Sequence, residues 1–108
     1  MWVIGFNSAD VSVQTLAYTV PPAKELLATV EFCNRGSTTA TVSYWVVPSA
    51  ESVGNQHIKE STLTLTPAGQ ASHVLARTAR CPAGAKIYVQ ASNANVSCQV
   101  SGDETAQT

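Results

Sequence analysis

The cysteines and histidines of this sequence could act as nucleophiles, bases or metal ligands, and they are Cys33, Cys81, Cys98, His57 and His73. A cysteine nucleophile needs a histidine within hydrogen-bond reach and a third group that orients the histidine. Nothing near these residues in the sequence supports that arrangement, so we expect ordinary solvated or interfacial histidines. The CxxC and Cys/His spacings that are typical of structural zinc do not occur. The sequence therefore predicts neither thiol catalysis nor a metal centre.

The seven carboxylates are equally dispersed. Only Asp103 and Glu104 are adjacent, and they lie near the C-terminus. A glycosidase needs two acids that face each other across a cleft, and a calcium loop needs a cluster of oxygen ligands. The sequence also contains no glycine-rich phosphate loop. We therefore predict a protein that is not an enzyme, with no cofactor and no small-molecule substrate.

The odd number of cysteines leaves two interpretations open, because three thiols cannot form a closed disulfide framework. Three reduced thiols suit a protein that is made in the cytosol. The alternative is one disulfide, since Cys33 is expected at a strand end and Cys81 in a loop, where they could approach each other or a thiol of another chain. Cys98 shares its strand face with Val96 and Val100, which predicts a small buried hydrophobe.

Length and composition exclude several classes of partner. The 108 residues predict a single domain, 1–108. Only 12% of the residues are charged, against about 25% in an average protein, and the six Lys and Arg residues form no cluster for nucleic acid. No apolar run is long enough to span a membrane, and the N-terminus lacks the basic start of a secretory signal. The low charge suits a chain that packs against other proteins.

Apolar and polar residues alternate with the period of a β-strand in most of the chain. Segments 25–33 and 39–47 both alternate, and the polar loop between them predicts a hairpin of antiparallel neighbours. Segment 61–66 is predicted to be followed by a partner strand at 71–76. Further strands are expected at 3–6, 16–20, 86–91 and 96–100. About eight short strands predict an all-β fold, a single antiparallel β-sandwich of jelly-roll or Ig-like type.

The segments outside this sandwich core are a short N-terminal arm (about 1–10), a crossover loop at 48–61 and a polar C-terminal tail (about 102–108). Pro, Ser, Gly and Asn make the crossover the weakest strand prediction. The tail SGDETAQT is polar and is expected to be frayed.

Trp45 is out of phase with Tyr44 and Val46, and therefore points away from the face that they bury. With Val47, and with Leu27 on the predicted neighbouring strand, it would form an exposed apolar patch of the kind that marks partner sites. The alternative is that the crossover loop folds over the tryptophan within the same chain. Trp2 in the N-terminal arm is a second candidate anchor, because an apolar arm can add a strand to a neighbour's sheet.

Two longer segments, YTVPPAKELLATVEFCNRGSTTATV (18–42) and AGAKIYVQASNANVSCQVSGDE (83–104), resemble a group of small proteins encoded by tailed bacteriophages. The shared pattern is a YTVPAG-like strand end, a CNRGS-like turn before TATV, and a GDKIYVQAS-like strand before ANVS. The chain departs from it at Pro22-Ala23, where the pattern has PAG, and at Ala85, where it often has Asp. These motifs are turns and strands, and they contain no catalytic residue.

The resemblance implies a structural, non-enzymatic component of a tailed-phage virion. It would be a multicopy accessory subunit, either a capsid decoration or cement protein or an attachment piece at the neck or tail. Its expected partners are other virion proteins and further copies of itself in a homo-oligomer. Its expected location is the virion, assembled in the cytoplasm of the host bacterium. The alternative function is a receptor- or carbohydrate-binding module of a tail tip, with Tyr44, Trp45 and Tyr88 as exposed aromatic contacts.

Overall fold

The computed structural model of the chain describes residues 2–8, 10–70 and 73–106, with side chains at all of these except 2–7, 55, 60–62 and 106. Eight strands and one 3-10 turn follow each other along this part of the chain. They are β1 (Trp2–Ser8), β2 (Thr15–Thr19), β3 (Lys24–Asn34), β4 (Ala40–Val47), the 3-10 turn (Asn55–His57), β5 (Ile58–Leu65), β6 (Val74–Cys81), β7 (Lys86–Ala91) and β8 (Val96–Ala106).

The strands form two four-stranded antiparallel sheets. Sheet I has the order β1-β8-β3-β6 and sheet II has the order β2-β7-β4-β5. Neighbours in each sheet are distant in the sequence except for β4 and β5, as expected for the two Greek keys of a jelly roll. The predicted antiparallel β-sandwich of about eight strands is confirmed, and the strand order is the jelly-roll one of the two types expected.

The predicted hairpin between segments 25–33 and 39–47 is wrong. β3 lies in sheet I between β8 and β6, whereas β4 lies in sheet II between β7 and β5. Both strands bury one face against the same core, from opposite sides. Apolar and polar residues therefore alternate along each of them in the same way as along two paired strands, and the alternation does not distinguish the two arrangements. The predicted partnership of 61–66 with the next strand is wrong for the same reason, since β5 and β6 belong to different sheets.

Asn34 shapes the turn that carries the chain from β3 to β4. Its side chain is fully buried, and its Nδ2 donates hydrogen bonds to the carbonyl oxygens of Thr38 and Thr66, at 2.8 and 3.1 Å. Its Oδ1 accepts a hydrogen bond from the backbone N–H of Gly36 at 3.0 Å. The asparagine thus replaces the backbone pairing that a tight hairpin would have supplied.

Both termini of the described chain belong to sheet I. The predicted N-terminal arm contains β1, which pairs with β8 of the same chain. The predicted frayed tail is wrong for residues 102–106, because β8 pairs with β3 up to the register pair Lys24 and Ala106. The two last residues, 107 and 108, lie outside the described part. The long β3 supplies backbone partners along the whole of β8, and this outweighs the polar composition of the segment.

The core lies between the sheets; valine is its commonest residue, and larger side chains lie at Phe32, Leu26, Leu65 and Ile87. Each fully buried Val, Leu, Ile or Phe contributes about 1.5–3 kcal/mol relative to an exposed one. Cys98 is 2% exposed within this core, which confirms the prediction of a small buried hydrophobe. Among the described residues no helix is long and apolar enough to cross a bilayer.

Candidate interaction surface

Leu27 lies at the centre of a row of residues that crosses all four strands of sheet I. It pairs with Asp103 on β8 and with Arg80 on β6, and Asp103 pairs in turn with Trp2 on β1. Residues that are directly opposite in antiparallel strands share one face of the sheet. The fold therefore brings Trp2 and Leu27, two of the predicted interface residues, into one row although 25 positions separate them in the sequence.

The outer face of sheet I exposes two large apolar side chains, Leu27 in this row and Val74 beyond it. Leu27 is 58% exposed, because alternate residues of β3 point away from the core. Val74, at the far end of β6 opposite Cys33, is 47% exposed. Exposed large apolar side chains on one face are a feature of partner-binding surfaces.

A shallow pocket, here called the Leu27 pocket, has a volume of about 250 Å³. Its lining residues are Glu25, Leu26, Leu27, Arg80, Asp103 and Thr105. The volume is below the roughly 300–1,000 Å³ of sites that enclose a small molecule. The pocket therefore suits one or two side chains of a protein partner better than a free ligand.

The charges around the Leu27 pocket are of both signs. The guanidinium Nη2 of Arg80 lies 3.7 Å from the Oε1 of Glu25, and the Arg80 side chain is 80% exposed. An ion pair this exposed adds little to stability and can exchange for a contact with a partner. In the described part of the chain no three His, Cys, Asp or Glu side chains are placed to hold a metal ion.

The predicted exposure of Trp45 and Val47 is wrong. Trp45 is 8% exposed and Val47 is fully buried, and both lie in sheet II, whereas Leu27 lies in sheet I. Trp45 pairs with Tyr88 and with Ile58, the residue that follows the 3-10 turn, and this turn packs against β4. The alternative prediction, that the crossover covers the tryptophan within the same chain, agrees with this geometry. Leu27 and Trp2 remain predicted contacts of a partner.

His57 forms hydrogen bonds to two other residues of the crossover, Gly54 and Glu51. This structural role was not predicted from the sequence. Its ring is 7% exposed, and its Nδ1 accepts a hydrogen bond from the backbone N–H of Gly54 at 3.0 Å. Since Nδ1 accepts, the proton lies on Nε2, which donates to the Oε1 of Glu51 at 2.9 Å. The burial of His57 could not be predicted from the polar segment 48–57, because a histidine in a loop is more often solvated.

The predicted disulfide between Cys33 and Cys81 is wrong within one chain. Cys81 pairs with Leu26 at one end of β3, whereas Cys33 lies seven residues further along the same strand. At about 3.4 Å per residue this separates the two cysteines by about 24 Å, and a disulfide requires Cα atoms within about 7 Å. All three cysteines are free, and only Cys33 is half-exposed.

The two other thiols, Cys81 and Cys98, are buried. Burial raises the pKa of Cys81 to about 11 and that of Cys98 to about 12, and the charge of Glu31 adds to the second shift. A thiol is a nucleophile only as the thiolate.

Comparisons with known proteins found no relative of this chain. No protein-family model matches the chain, and neither the curated proteins nor the solved structures give a significant match. The described residues form an eight-stranded sandwich with jelly-roll strand order, and Leu27 is exposed beside a shallow pocket on the outer face of sheet I.

Proposed function

We propose that the protein is a structural, non-enzymatic and multicopy accessory subunit of a tailed-phage virion. It would decorate the capsid or attach at the neck or tail, and bind other virion proteins through the outer face of sheet I. The observation that carries this proposal is the 58% exposure of Leu27 beside the Leu27 pocket, in register with Trp2 across the sheet.

Two further observations support the proposal. Jelly rolls are common among viral capsid and lectin domains, although a fold by itself does not assign a function. The segments 18–42 and 83–104, which resemble small phage proteins, contain β3, β7, most of β8, the end of β2 and the start of β4. They therefore include most of the two central strands of sheet I and one central strand of sheet II.

The alternative, a carbohydrate- or receptor-binding module, has less support from the geometry. Such modules stack sugar rings on exposed aromatic side chains. Tyr44 and Trp45 are 4% and 8% exposed, so only Tyr88 of the three expected contacts is half-exposed.

The test compares two charge-introducing variants in phage particles. Leu27→Glu places a carboxylate on the outer face of sheet I, and Leu16→Glu does so at a 45% exposed leucine of sheet II. Quantitative mass spectrometry of gradient-purified particles measures the copy number of each variant relative to the major capsid protein. We expect the wild type and Leu16→Glu to be present in the particles at the same fixed copy number. The copy number of Leu27→Glu should be less than about a tenth of that value.

Circular dichroism of the purified variants shows whether each one folds, and an exposed position should tolerate the change. Absence of the wild-type protein from particles would remove the proposal. Equal incorporation of both variants would remove the outer face of sheet I as the binding surface.

A further inference from the structure

β1 is hydrogen-bonded to one neighbouring strand among the described residues. It ends sheet I and pairs with β8, whereas β2, the strand that follows it in the chain, lies in sheet II. A register shift between Ile4 and Phe6 interrupts the ladder of β1 and β8. Edge segments with few partners open locally at a lower free energy than the whole domain. We therefore expect β1 to separate from β8 while the rest of the sandwich stays folded.

The connection from β1 to β2 is bent by exposed local hydrogen bonds. The Oδ1 of Asp10 accepts a hydrogen bond from the N–H of Ser12 at 2.9 Å, and the N–H of Asp10 donates to the Oγ of Ser8 at 3.3 Å. Water can replace such exposed bonds at little cost. Val11 is fully buried between them, and its carbonyl oxygen accepts from the N–H of Ala91 at 2.8 Å. The direction in which β1 leaves this buried anchor therefore depends on weak local bonds.

The structure itself shows which strand fits the edge of β8. β1 pairs antiparallel with β8 from Trp2 opposite Asp103 to Ser8 opposite Cys98, and the register shift lies within this ladder. β1 of a second copy has the same sequence and can make the same pairs in the same register. An exchange of identical strands between two copies therefore costs little beyond the change in the connection and the association itself.

We propose that two copies of this chain exchange β1 reciprocally, so that β1 of each copy lies on β8 of the other. The outer face of sheet I is then built from two chains, because Trp2 of one copy enters the row that contains Asp103 and Leu27 of the other. The inference deepens the proposed function and rests on it for the multicopy state, since copies that are held side by side meet at a high effective concentration.

The test places single cysteines at one register pair of β1 and β8. Asn7 and Gln99 are directly opposite, and the Cα atoms of opposite residues lie about 4.5–5.5 Å apart, which is within the range of a disulfide. Asn7→Cys and Gln99→Cys are made separately in a Cys33→Ser background, because Cys33 is half-exposed. The two purified full-length variants are incubated together with a reducing agent at about 1 mM, and are then oxidised.

We expect a disulfide-linked heterodimer on a non-reducing gel, because β1 of one variant then lies on β8 of the other. A mixture of Asn7→Cys with Ser101→Cys measures chance collisions, since Ser101 is opposite Ile4 rather than Asn7. This mismatched mixture should give at least about fivefold less heterodimer. The double variant Asn7→Cys/Gln99→Cys, oxidised by itself, should lose both of the introduced thiols.

The bent connection provides a second measurement. Asp10→Ala removes the acceptor for the N–H of Ser12, a bond that favours the bent form in which β1 stays with its own chain. Introduced into both cysteine variants, this change should raise the amount of heterodimer about threefold. Asp10→Asn keeps a side-chain acceptor and should leave the amount unchanged. Circular dichroism shows whether each variant is folded.

Equal amounts of heterodimer in the matched and mismatched mixtures would overturn the proposal. A single-chain mass of the wild type at about 1 mM in analytical ultracentrifugation would also overturn it. Free introduced thiols in the oxidised double variant would do the same, since β1 would then not lie on β8. Phage particles are not needed for any of these measurements. Absence of the protein from particles would remove the proposed function and leave the exchange standing, and failure of the exchange would leave the copy-number test unaffected.

Discussion

The hydroxyl of Tyr18 on β2 donates a hydrogen bond to the carboxylate Oε2 of Glu104 on β8. β2 belongs to sheet II and β8 to sheet I, so this bond joins the two sheets. Glu104 is 6% exposed, and a buried carboxylate is stable only when polar groups compensate for its lost hydration. The bond therefore contributes to the alignment of the sheets as well as to the solvation of the acid.

Tyr18→Phe should lower the free energy of unfolding by about 1–2 kcal/mol, because it removes one hydrogen-bond donor from a buried carboxylate. Urea denaturation followed by circular dichroism measures the change. Tyr88→Phe is the matched control, since Tyr88 lies on the outer face of sheet II opposite Trp45. An equal loss in both variants would show that the hydroxyl of Tyr18 has no special role.

Stability should fall progressively as the pH rises above about 9. Burial, and then the hydrogen bond to Glu104, raise the pKa of Tyr18 from 10.0 to about 12, and burial raises the pKa of Cys98 from 9.0 to about 12. Between the ordinary pKa of each group and its raised pKa in the native state, the unfolded chain has released a proton that the native chain still holds. The free energy of unfolding therefore decreases as the pH rises through this range. Below pH 9 both contributions are fully present.

Urea denaturation at about pH 8 and about pH 11, with a reducing agent, measures this dependence. The decrease should be smaller in Tyr18→Phe and in Cys98→Ala, because each variant lacks one of the groups that titrate. An unchanged decrease in both variants would assign the alkaline sensitivity to other groups.

The sequence was sufficient to predict which residues face the core, but not which strands are neighbours. Leu26, Ala28, Val30 and Phe32 alternate as expected and are all buried. The alternation of β4 is equally clear, yet β3 and β4 lie in opposite sheets. Periodicity reports the buried face of a strand, and it carries no information about which strand lies beside it.

The candidate surface could be predicted only in part for a similar reason. Leu27 is exposed as expected, but the same argument from alternation failed for Trp45, which is 8% exposed in a strand that the 3-10 turn of the crossover packs against. Neither Glu104 nor His57 gave a signal in the sequence, since polar residues in polar segments are more often exposed. Their burial depends on long-range packing.

His57→Ala should open the crossover and expose Trp45. The change removes the acceptor for the N–H of Gly54 and the donor to Glu51, and leaves a cavity beside β4, at a cost of about 2–3 kcal/mol. In a Trp2→Phe background, the emission of Trp45 should shift to longer wavelength. Glu51→Gln keeps an acceptor for Nε2–H and should change stability by less than about 0.5 kcal/mol. An unshifted emission in His57→Ala would mean that other residues cover the tryptophan.

Gly102→Ala should be the most destabilising alanine substitution among the glycines whose surroundings the structure describes, which are Gly36, Gly54, Gly69, Gly84 and Gly102. Gly102 lies in β8 opposite Ala28, and a Cβ there would overlap the carbonyl oxygen of Leu27 and lie 2.9 Å from the Cα of Ala28. Because both obstacles are backbone atoms of β3, the ladder itself would have to separate, at a cost of about 3 kcal/mol.

Gly69→Ala is a control in which an added Cβ meets no other atom, so that the cost of backbone conformation is measured without a steric clash. Gly69 has φ +85° and no atom within 4 Å of an added Cβ, so only the left-handed backbone conformation opposes the change, by about 1 kcal/mol. Thermal and urea denaturation of the two variants should therefore differ by about 2 kcal/mol. Equal stabilities would show that β3 and β8 separate easily, which would contradict the close packing of the two central strands of sheet I.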